Sequence, residues 1–391
     1  MLLEQLKKNL LAACTLLIKS KKTWRAPKKS QILIYDANGL EALLPSIKKY
    51  SFEVLYRDGE LINLYCLASA TLTREFWTGR IFTAYASVYI KFVNPKVIIT
   101  FIDNSKAFYL LSKRFSGSKT IFLQNGTRAP YGDVFDGLVR QDDYHVDYML
   151  VHNRSIGRLY NQYITGKILP IGSLKNNTIG RAATLKKNVL FVSQWRPKPK
   201  DGVPFITLNP SIKIQWSDFY EDDVAVICFL DRWCAKYDVQ LTVCGGHSAL
   251  AEAEEAFYTK FLTQSNWEFV AKTSLLSSYQ LIAEAGLVVF IDSTLGYEAI
   301  GRGKKTASFS CRMVPEHELK LFKFGWPANL TECGPFWTNT RDEIEFERVM
   351  AYIAMVSDDE WGSMCRSYTP ELMEFDTGNT QFIALLEELL S

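Results

Sequence analysis

The chain has 391 residues, which is enough for two globular domains of ordinary size. Its composition, 48% hydrophobic and 22% charged, excludes a disordered or low-complexity protein, and its net charge of +3 is too small to indicate nucleic acid as a general partner. Eight cysteines without a C-x-x-C pair favour reduced, buried thiols in a cytoplasmic protein over a disulfide framework or a zinc site. The sequence holds no stretch of 18 apolar residues, so no transmembrane helix is predicted.

The first segment is basic, with leucines near helical spacing over residues 2–18 and lysines between and after them. Lys7 and Lys8 interrupt the apolar run, which argues against a signal peptide. Two interpretations stay open for residues 1–29. The segment is either a solvated helix packed on the body of the protein or a basic amphipathic anchor on the anionic face of a membrane.

The rest of the chain alternates short apolar strands with helices. In the first half, strands are predicted at 31–35, 52–56, 96–102, 120–123, 148–151 and 167–171, with helices at 40–50, 74–92 and 105–115. In the second half, strands are predicted at 188–192, 240–244, 267–270, 287–291 and 305–309, with helices at 220–237, 248–263, 281–286, 342–355 and 381–390, and with a proline-containing loop after 196. Continuous apolar strands separated by helices indicate parallel sheets covered on both faces.

We therefore predict an α/β protein with two doubly wound, Rossmann-like domains, at 30–178 and 186–340, followed by C-terminal helices at 341–391. Ligands in such sheets bind outside the carboxyl ends of the strands, here in a cleft between the domains. Neither half carries G-x-G-x-x-G after its first strand, and no Walker A motif is present. A nicotinamide dehydrogenase and a P-loop NTPase are therefore disfavoured.

The strongest local signal follows the strand at 287–291, where Asp-Ser-Thr leads into a helix. Ser293 and Thr294 at the helix N-terminus could hold a phosphate, with Gly296 in the first turn and Glu298 accepting the hydroxyls of a ribose. The alternative is an ordinary capped helix in which Glu298 is only a first-turn acid. Gly245, after the strand at 240–244, could face the same ligand or could simply make a turn.

Polar residues also follow strands elsewhere. Asp103 is a candidate base or nucleophile, with helix capping as its alternative, and Asp36 is a weaker candidate of the same kind. Asn125 and Arg128 follow the strand at 120–123, where a guanidinium would suit an anionic substrate or a structural salt bridge. Ser193 and Gln194 belong to a loop expected to face the cleft on the donor side. No D-x-D follows a strand, so no metal site is predicted.

Six segments together carry a family resemblance. They are VNPKVIITFIDNSKAFYLLSKRF (93–115), IFLQNGTR (121–128), DYMLVHN (147–153), ILPIGSLKNN (168–177), VLFVSQWRP (189–197) and VVFIDSTLGYEAIGRGKK (288–305). In this order the chain resembles a bacterial family of surface-carbohydrate (capsule and O-antigen) biosynthesis proteins of the GT-B glycosyltransferase type. It is more distantly similar to the retaining β-Kdo transferases, which use CMP-Kdo.

This resemblance implies a cytoplasmic glycosyltransferase that takes sugar from a nucleotide donor without a metal, and peripheral contact with the inner membrane face stays open. A CMP-linked ulosonic acid such as Kdo is the favoured donor, and a lipid-linked or growing glycan is the acceptor. The nucleotide would lie on the C-terminal domain and the acceptor on the N-terminal one. One branch of the similar enzymes has Glu-Asp-Gly where this chain has Gln124-Asn125-Gly126, so the nucleophile would be missing there, and Asp103 becomes its replacement candidate.

Two other functions remain open from the sequence. A UDP-sugar 2-epimerase shares the two-domain fold but would need no basic N-terminal segment. A non-catalytic scaffold of a polysaccharide assembly complex would keep the fold and tolerate loss of Asp103 and Glu298.

Overall fold

The computed structural model describes residues 20–57, 60–78, 80–180, 185–209, 212–314 and 319–391. Of the basic segment 1–29, for which two interpretations stay open, residues 1–19 lie outside these ranges, whereas residues 20–29 are described and contain a short strand, Lys21–Thr23, and no helix. Among the described residues, no helix combines the length and the apolar character that crossing a membrane requires.

The first half of the chain builds a six-stranded parallel sheet. Its strands are β1 (Ile32–Ile34), β2 (Phe52–Val54), β3 (Val97–Thr100), β4 (Lys119–Leu123), β5 (His145–Val151) and β6 (Thr165–Pro170). They lie in the order β2-β1-β3-β4-β5-β6, and Ile32 pairs with Val97 across the β1–β3 contact. The order reverses between β1 and β3, which is the point where doubly wound sheets bind ligands.

Both faces of this sheet are buried, as its continuous apolar strands predict. Ile32 and Ile34 face one core, whereas Leu33 between them faces the other. Successive side chains of a strand point to opposite faces, so a strand covered on both sides must be apolar throughout. The helices of this half are α1 (Leu40–Ile47), α2 (Leu64–Ala70), α3 (Arg74–Trp77), α4 (Ile81–Val93), α5 (Lys106–Tyr109), α6 (Leu111–Arg114) and α7 (Arg154–Asn161).

The second half builds a seven-stranded sheet. Its strands are β7 (Asn188–Val192), β8 (Gln240–Cys244), β9 (Trp267–Val270), β10 (Leu287–Phe290), β11 (Thr306–Phe309), β12 (Cys333–Gly334) and β13 (Trp337–Thr338). The order is β9-β8-β7-β10-β11-β13-β12, and every pair is parallel except the terminal β12–β13 hairpin. The helices are α8 (Trp216–Tyr237), α9 (Ala251–Tyr258), α10 (Ser277–Glu284), α11 (Thr294–Gly301), α12 (Glu343–Met355), α13 (Asp358–Leu372) and α14 (Thr380–Leu390).

Several helices differ from the sequence prediction. The helix predicted over 74–92 is two helices, α3 and α4, and the one predicted over 105–115 is the short pair α5 and α6. The proline-containing stretch after 196 is not only a loop, because it contains an antiparallel hairpin between Ile206–Asn209 and Ile212–Ile214. Helices α2 and α7 were not predicted, and α13 lies in the predicted helical tail without a range of its own.

The last helix returns to the first half of the molecule. Helices α12 and α13 pack on the core of the second sheet. By contrast, Phe382, Leu385 and Leu386 of α14 complete the core on one face of the first sheet. The chain therefore crosses between the two halves twice, once through residues 171–187 and once after α13.

Candidate functional site

The carboxyl ends of the two sheets face each other across a cleft that holds a cavity of about 390 Å³. Residues of both halves line it. From the first half come Thr127, Tyr131 and Asp133; from the second come Gln194, Arg196, Asp292, Thr294 and Arg312, with aromatic walls from Phe205, Phe219, Tyr220 and Phe322. Three of the strand ends singled out in the sequence therefore meet at this cavity, those followed by Thr127, Gln194 and Thr294.

A direct hydrogen bond joins the two halves at the cavity. The backbone N–H of Thr127 donates to Thr294 Oγ1 at 3.0 Å, and the two threonine hydroxyls are 3.0 Å apart. Ser293 caps α11, because its Oγ accepts from the Leu295 N–H at 3.3 Å. In this conformation, therefore, both hydroxyls predicted to hold phosphate already have protein partners.

Asp103 holds Arg128 in this structure. It is completely buried, and both of its carboxylate oxygens accept hydrogen bonds. Arg128 Nε donates to Oδ2 at 2.9 Å, Arg128 Nη2 donates to Oδ1, and the Tyr160 hydroxyl donates to Oδ2. Asp103 lines neither of the two cavities, so contact with a substrate would require this network to open. Its assignment as base or nucleophile stays a prediction, and the geometry favours a role in positioning Arg128.

Arg128 and Asn125 belong to the same network. Asn125 Oδ1 accepts from Arg128 Nη2 at 2.8 Å, and Asp133 Oδ1 accepts from Arg128 Nη1 at 3.3 Å. Burial alone would lower the pKa of Arg128, but the negative charges of Asp103 and Asp133 outweigh it and hold the guanidinium charged. Arg128 lines a small second cavity, yet most of its donors point to protein acceptors, which favours the salt-bridge alternative.

Arg312, which sequence reasoning missed, lies at the floor of the main cavity. Its Nε and Nη2 bind Asp223 at 2.7 and 2.6 Å, and its Nη1 binds both oxygens of Asp292 at 2.8 Å. Burial would lower the pKa of Arg312, but attraction from the two carboxylates prevails and raises it. Asp223 is enclosed, whereas Asp292 lines both the main and the small cavity. No local motif signals Arg312, since its partners lie about 20 and 90 residues away.

The two residues predicted to bind the donor from one loop, Ser193 and Gln194, have different surroundings in the structure. Gln194 lines the cavity, and its Oε1 accepts from Arg312 Nη1 at 3.3 Å. Ser193 instead turns inward: its hydroxyl donates to Glu254 and accepts from the Tyr258 hydroxyl at 2.7 Å. With both roles of the hydroxyl used, nucleotide binding by the Ser193 side chain is not supported.

The two glycines predicted to bind nucleotide have packing reasons. A Cβ on Gly245 would lie 2.6 Å from the Phe269 ring, and one on Gly296 would lie 2.0 Å from the Phe290 ring. The N–H of Gly246 donates to Glu254 at 3.1 Å, so this turn is satisfied by a buried carboxylate. Glycine is therefore required at both positions because the neighbouring phenylalanine ring leaves no room for a Cβ, independently of any ligand.

Glu298 is buried at 2% exposure, and its Oε1 accepts from the Tyr279 hydroxyl at 3.0 Å. Burial raises the pKa of Glu298 to about 7, although the Ser173 and Tyr279 hydroxyls partly offset this. Glu298 lines neither of the two cavities, so ribose contact would require the segment around Ser173 or Tyr279 to move. Its assignment to ribose stays a prediction.

His152 is a further residue that the sequence analysis did not single out. It follows β5 and lines the small cavity beside Arg128. Burial and the Arg128 charge lower the pKa of His152 to about 3, so the ring is neutral at physiological pH. Its Nδ1 has no hydrogen-bond partner within the described part of the chain. Its position at the end of a predicted strand is the signal that could have found it.

Over the ranges that the structure describes, no group of three His, Cys, Asp or Glu residues is arranged to hold a metal ion. The polar groups that line this cleft are guanidinium groups, carboxylates, hydroxyls and an amide, together with the N-terminus of α11. Arg196 is distinctive among them, since it lines the main cavity and has no ion pair with any described carboxylate.

Comparison with known protein families gives one match, over residues 121–390, to a family described as "putative O-antigen biosynthesis protein". The chain belongs to this O-antigen biosynthesis family. The match includes the end of the first sheet, the whole second sheet and the C-terminal helices, and so it covers every residue around the main cavity. None of the curated proteins compared with the chain matches it.

Solved structures resemble this O-antigen family member in fold. A protein from Listeria monocytogenes titled "putative UDP-N-acetylglucosamine 2-epimerase" aligns with a TM-score of 0.53 and 11% identity, over 93% of this chain and 97% of that one. The UDP-GlcNAc 2-epimerase of Neisseria meningitidis, bound to UDP-GlcNAc, gives 0.51 and 9%, over 91% and 99%. A glycosyltransferase from Rickettsia africae ESF-5 gives 0.50 and 9%, over 95% and 99%. The fold is therefore GT-B-like, as predicted, with two parallel Rossmann-like sheets.

Proposed function

We propose that the protein is a glycosyltransferase of O-antigen biosynthesis that moves a sugar from a nucleotide donor to a lipid-linked or growing glycan acceptor. The observation that carries this proposal is the cavity of about 390 Å³ at the carboxyl edges of both sheets, where aromatic walls meet the guanidinium of Arg196, which has no ion pair with any described carboxylate. Aromatic faces suit sugar rings, and a pocket of this size suits a sugar or a nucleoside.

The favoured donor is a CMP-linked ulosonic acid such as Kdo, whose sugar carries a carboxylate. Arg196 supports this choice, because the other two guanidiniums near the cleft, Arg128 and Arg312, are already neutralised by aspartates. A free guanidinium can bind a carboxylate at two points, and the N-terminus of α11 next to Thr294 favours the departing phosphate charge.

Asp292 is the carboxylate best suited to act as the base. It lines both cavities, and Arg312 Nη1, at 2.8 Å from both of its oxygens, holds the carboxylate in place there. In the proposed step, the acceptor hydroxyl oxygen forms a bond to the anomeric carbon and its proton passes to Asp292. The bond from the anomeric carbon to the donor phosphate breaks, and its electron pair leaves with the nucleotide.

The test measures thermal shifts with CMP, CDP, UDP and GDP, followed by calorimetric titration with CMP-Kdo. We expect the largest shift with a cytidine nucleotide. Arg196→Gln should weaken CMP-Kdo binding about tenfold, as for a hydrogen bond to a charged group, while CMP affinity stays unchanged. Lys198→Gln, on the same loop but outside the cavity, is the matched control.

Other outcomes would contradict the proposal. A response to UDP alone would favour a UDP-sugar 2-epimerase or a UDP-sugar transferase. A chain that binds none of the four nucleotides would instead favour a non-catalytic scaffold in a polysaccharide assembly complex. If Arg196→Gln weakened CMP and CMP-Kdo binding equally, Arg196 would not be the residue that binds the sugar carboxylate.

A further inference from the structure

One side of the first half of the molecule is apolar and basic at the same time. Four large apolar side chains are exposed there: Trp24 at 72%, Tyr65 at 42%, Leu72 at 89% and Trp77 at 70%. The basic side chains beside them are Lys21, Lys22, Arg25, Lys28, Lys29, Arg74 and Arg80, all exposed. We call these eleven residues the α2–α3 patch.

Local contacts hold the patch together. Strand Lys21–Thr23 pairs with Leu61–Asn63, directly before α2, and Asn63 Nδ2 donates to the Arg25 carbonyl at 2.8 Å. This places Trp24 and its basic neighbours at the start of α2. Tyr65 and Leu72 are seven residues apart, so they lie on one side of the helix and the turn that follows it.

Trp77 completes the apolar stripe at the other end of α2. Its indole Nε1 donates to the Thr71 carbonyl at 2.8 Å, which holds the ring beside Leu72 and leaves it exposed. Isolated exposed apolar residues are ordinary, but here two tryptophans and a leucine lie around the two ends of one seven-residue helix, with Trp24 at its start and Leu72 and Trp77 beyond its end. Such a surface indicates an interaction site.

The charge of the patch indicates which surface it meets. Residues 20–29 carry five lysines or arginines and no acid. Among the described acidic side chains around the patch, Glu53 accepts from the Lys28 N–H at 3.3 Å, Glu60 is exposed, and Glu75 is paired with Arg114 at 3.0 Å. Tryptophan rings prefer the boundary between lipid headgroups and acyl chains, and lysine and arginine are attracted to anionic headgroups. Both preferences are met together on an anionic bilayer.

The position of the patch relative to the cleft also fits. The Phe82 ring, in the first turn of α4, lies 6.4 Å from the ring of Tyr35, which follows β1 directly. The start of α4 therefore lies at the carboxyl edge of the first sheet, where the cleft opens, and Trp77 precedes it by four residues in the chain. A bilayer against this side would bring lipid headgroups to the level of the cleft.

We propose that the α2–α3 patch docks the protein on an anionic lipid bilayer, with Trp24, Leu72 and Trp77 inserted at the headgroup level. This docking does not depend on the proposed sugar transfer, because it uses none of the residues around the cavity. It is also separate from any contribution of residues 1–19.

The test is co-sedimentation of the full chain with vesicles of phosphatidylcholine alone or with about one-third phosphatidylglycerol. The wild-type chain should sediment with the anionic vesicles, and added salt should weaken the binding. The double variant Leu72→Ser/Trp77→Ser should reduce the bound fraction at least about fivefold. Leu72→Ser alone, which removes an 89% exposed side chain, should give a partial loss with an unchanged melting temperature.

The matched control is Ile344→Ser/Met355→Ser. These side chains are 78% and 85% exposed on α12 of the second half, so the control removes similar apolar area from another surface. It should bind vesicles like the wild type. The proposal is overturned if the wild-type chain stays in the supernatant with anionic vesicles. It is equally overturned if the double variant sediments with anionic vesicles like the wild type. If, in that case, deletion of residues 1–19 abolishes binding, those residues and not the α2–α3 patch bind the bilayer.

Discussion

Arg128 holds Asp103 through both carboxylate oxygens, at the level where β3 and β4 end. The pair is buried, and Tyr160 adds a further donor to the carboxylate. Breaking such a pair by removing one charge leaves the other buried without compensation, which costs more than the intact pair contributes. Asp103 therefore matters for the shape of the strand-end loop at Gln124–Arg128.

We expect Asp103→Asn to lower the free energy of unfolding by about 3–5 kcal/mol, because the buried Arg128 guanidinium loses its neutralising partner. Urea denaturation of the two proteins measures this difference. Asp142→Asn, an exposed change in the same half, is the control and should be neutral. Unchanged stability together with a large loss of turnover would restore Asp103 as a catalytic group.

The two aspartates that bind Arg312 allow a matched comparison of activity. Asp292→Asn should lower turnover at least about 10²-fold, the low end for loss of a general base, while nucleotide affinity stays near that of the wild type. Asp223→Asn also removes a charge from Arg312 but does not reach the cavity, so its effect should fall mainly on stability. Transfer rate and unfolding are measured on the same preparations. Equal turnover losses in both variants would contradict the role of Asp292.

Glu298 should make stability depend on pH. Burial raises the pKa of Glu298 to about 7, so between pH 4.5 and 7 the folded protein keeps a proton that the unfolded chain releases. The free energy of unfolding therefore falls as pH rises through this window. Glu298→Gln, which imitates the protonated acid, should remove this slope and stabilise the protein at pH 8 by up to about 3 kcal/mol. Melting curves at several pH values test this, with the exposed Glu388→Gln as control. An unchanged slope would exclude the effect.

The hydrogen bond across the cleft can be tested at the amide that makes it. Thr294→Val removes the acceptor of the Thr127 N–H, whose bond contributes about 0.5–1.5 kcal/mol. Hydrogen exchange in a peptide covering 124–130 should then speed up by as much as about tenfold. Thr178→Val, which removes a hydroxyl bonded only to the nearby Lys175 carbonyl, should leave that peptide unchanged. Identical exchange in both variants would mean that the link does not persist in solution.

Much of the fold could be predicted from the sequence because its strands are buried on both faces. A run such as Val97–Thr100 has one physical explanation, a central strand of a covered sheet, and the structure confirms it. The break between α3 and α4 was missed because apolar spacing continues on both sides of it, although Gly79 between them is a helix-stop signal. The hairpin at 206–214 was also missed, because prolines around it indicated a loop.

The functional site could be predicted only in part, because the sequence shows which residues follow a strand but not which side chains already have a partner. Strand ends identify which residues approach the cleft, and Gln194 and Thr294 do line it. Whether a side chain there is free depends on partners elsewhere in the chain. Asp103 is saturated by Arg128 and Tyr160, whereas Arg196 has no described acidic partner. Sequence position carries no information about this pairing, which decides between a structural and a chemical role.

The return of α14 to the first half has a consequence for synthesis on the ribosome. Phe382 and Leu386 fill a core whose last strand ends at residue 170. About 210 further residues must be made in between, which takes roughly 10–40 s at ordinary elongation rates. Until then, the apolar face of the nascent first sheet lacks its final cover, so chaperones have a defined surface and a defined interval in which to act.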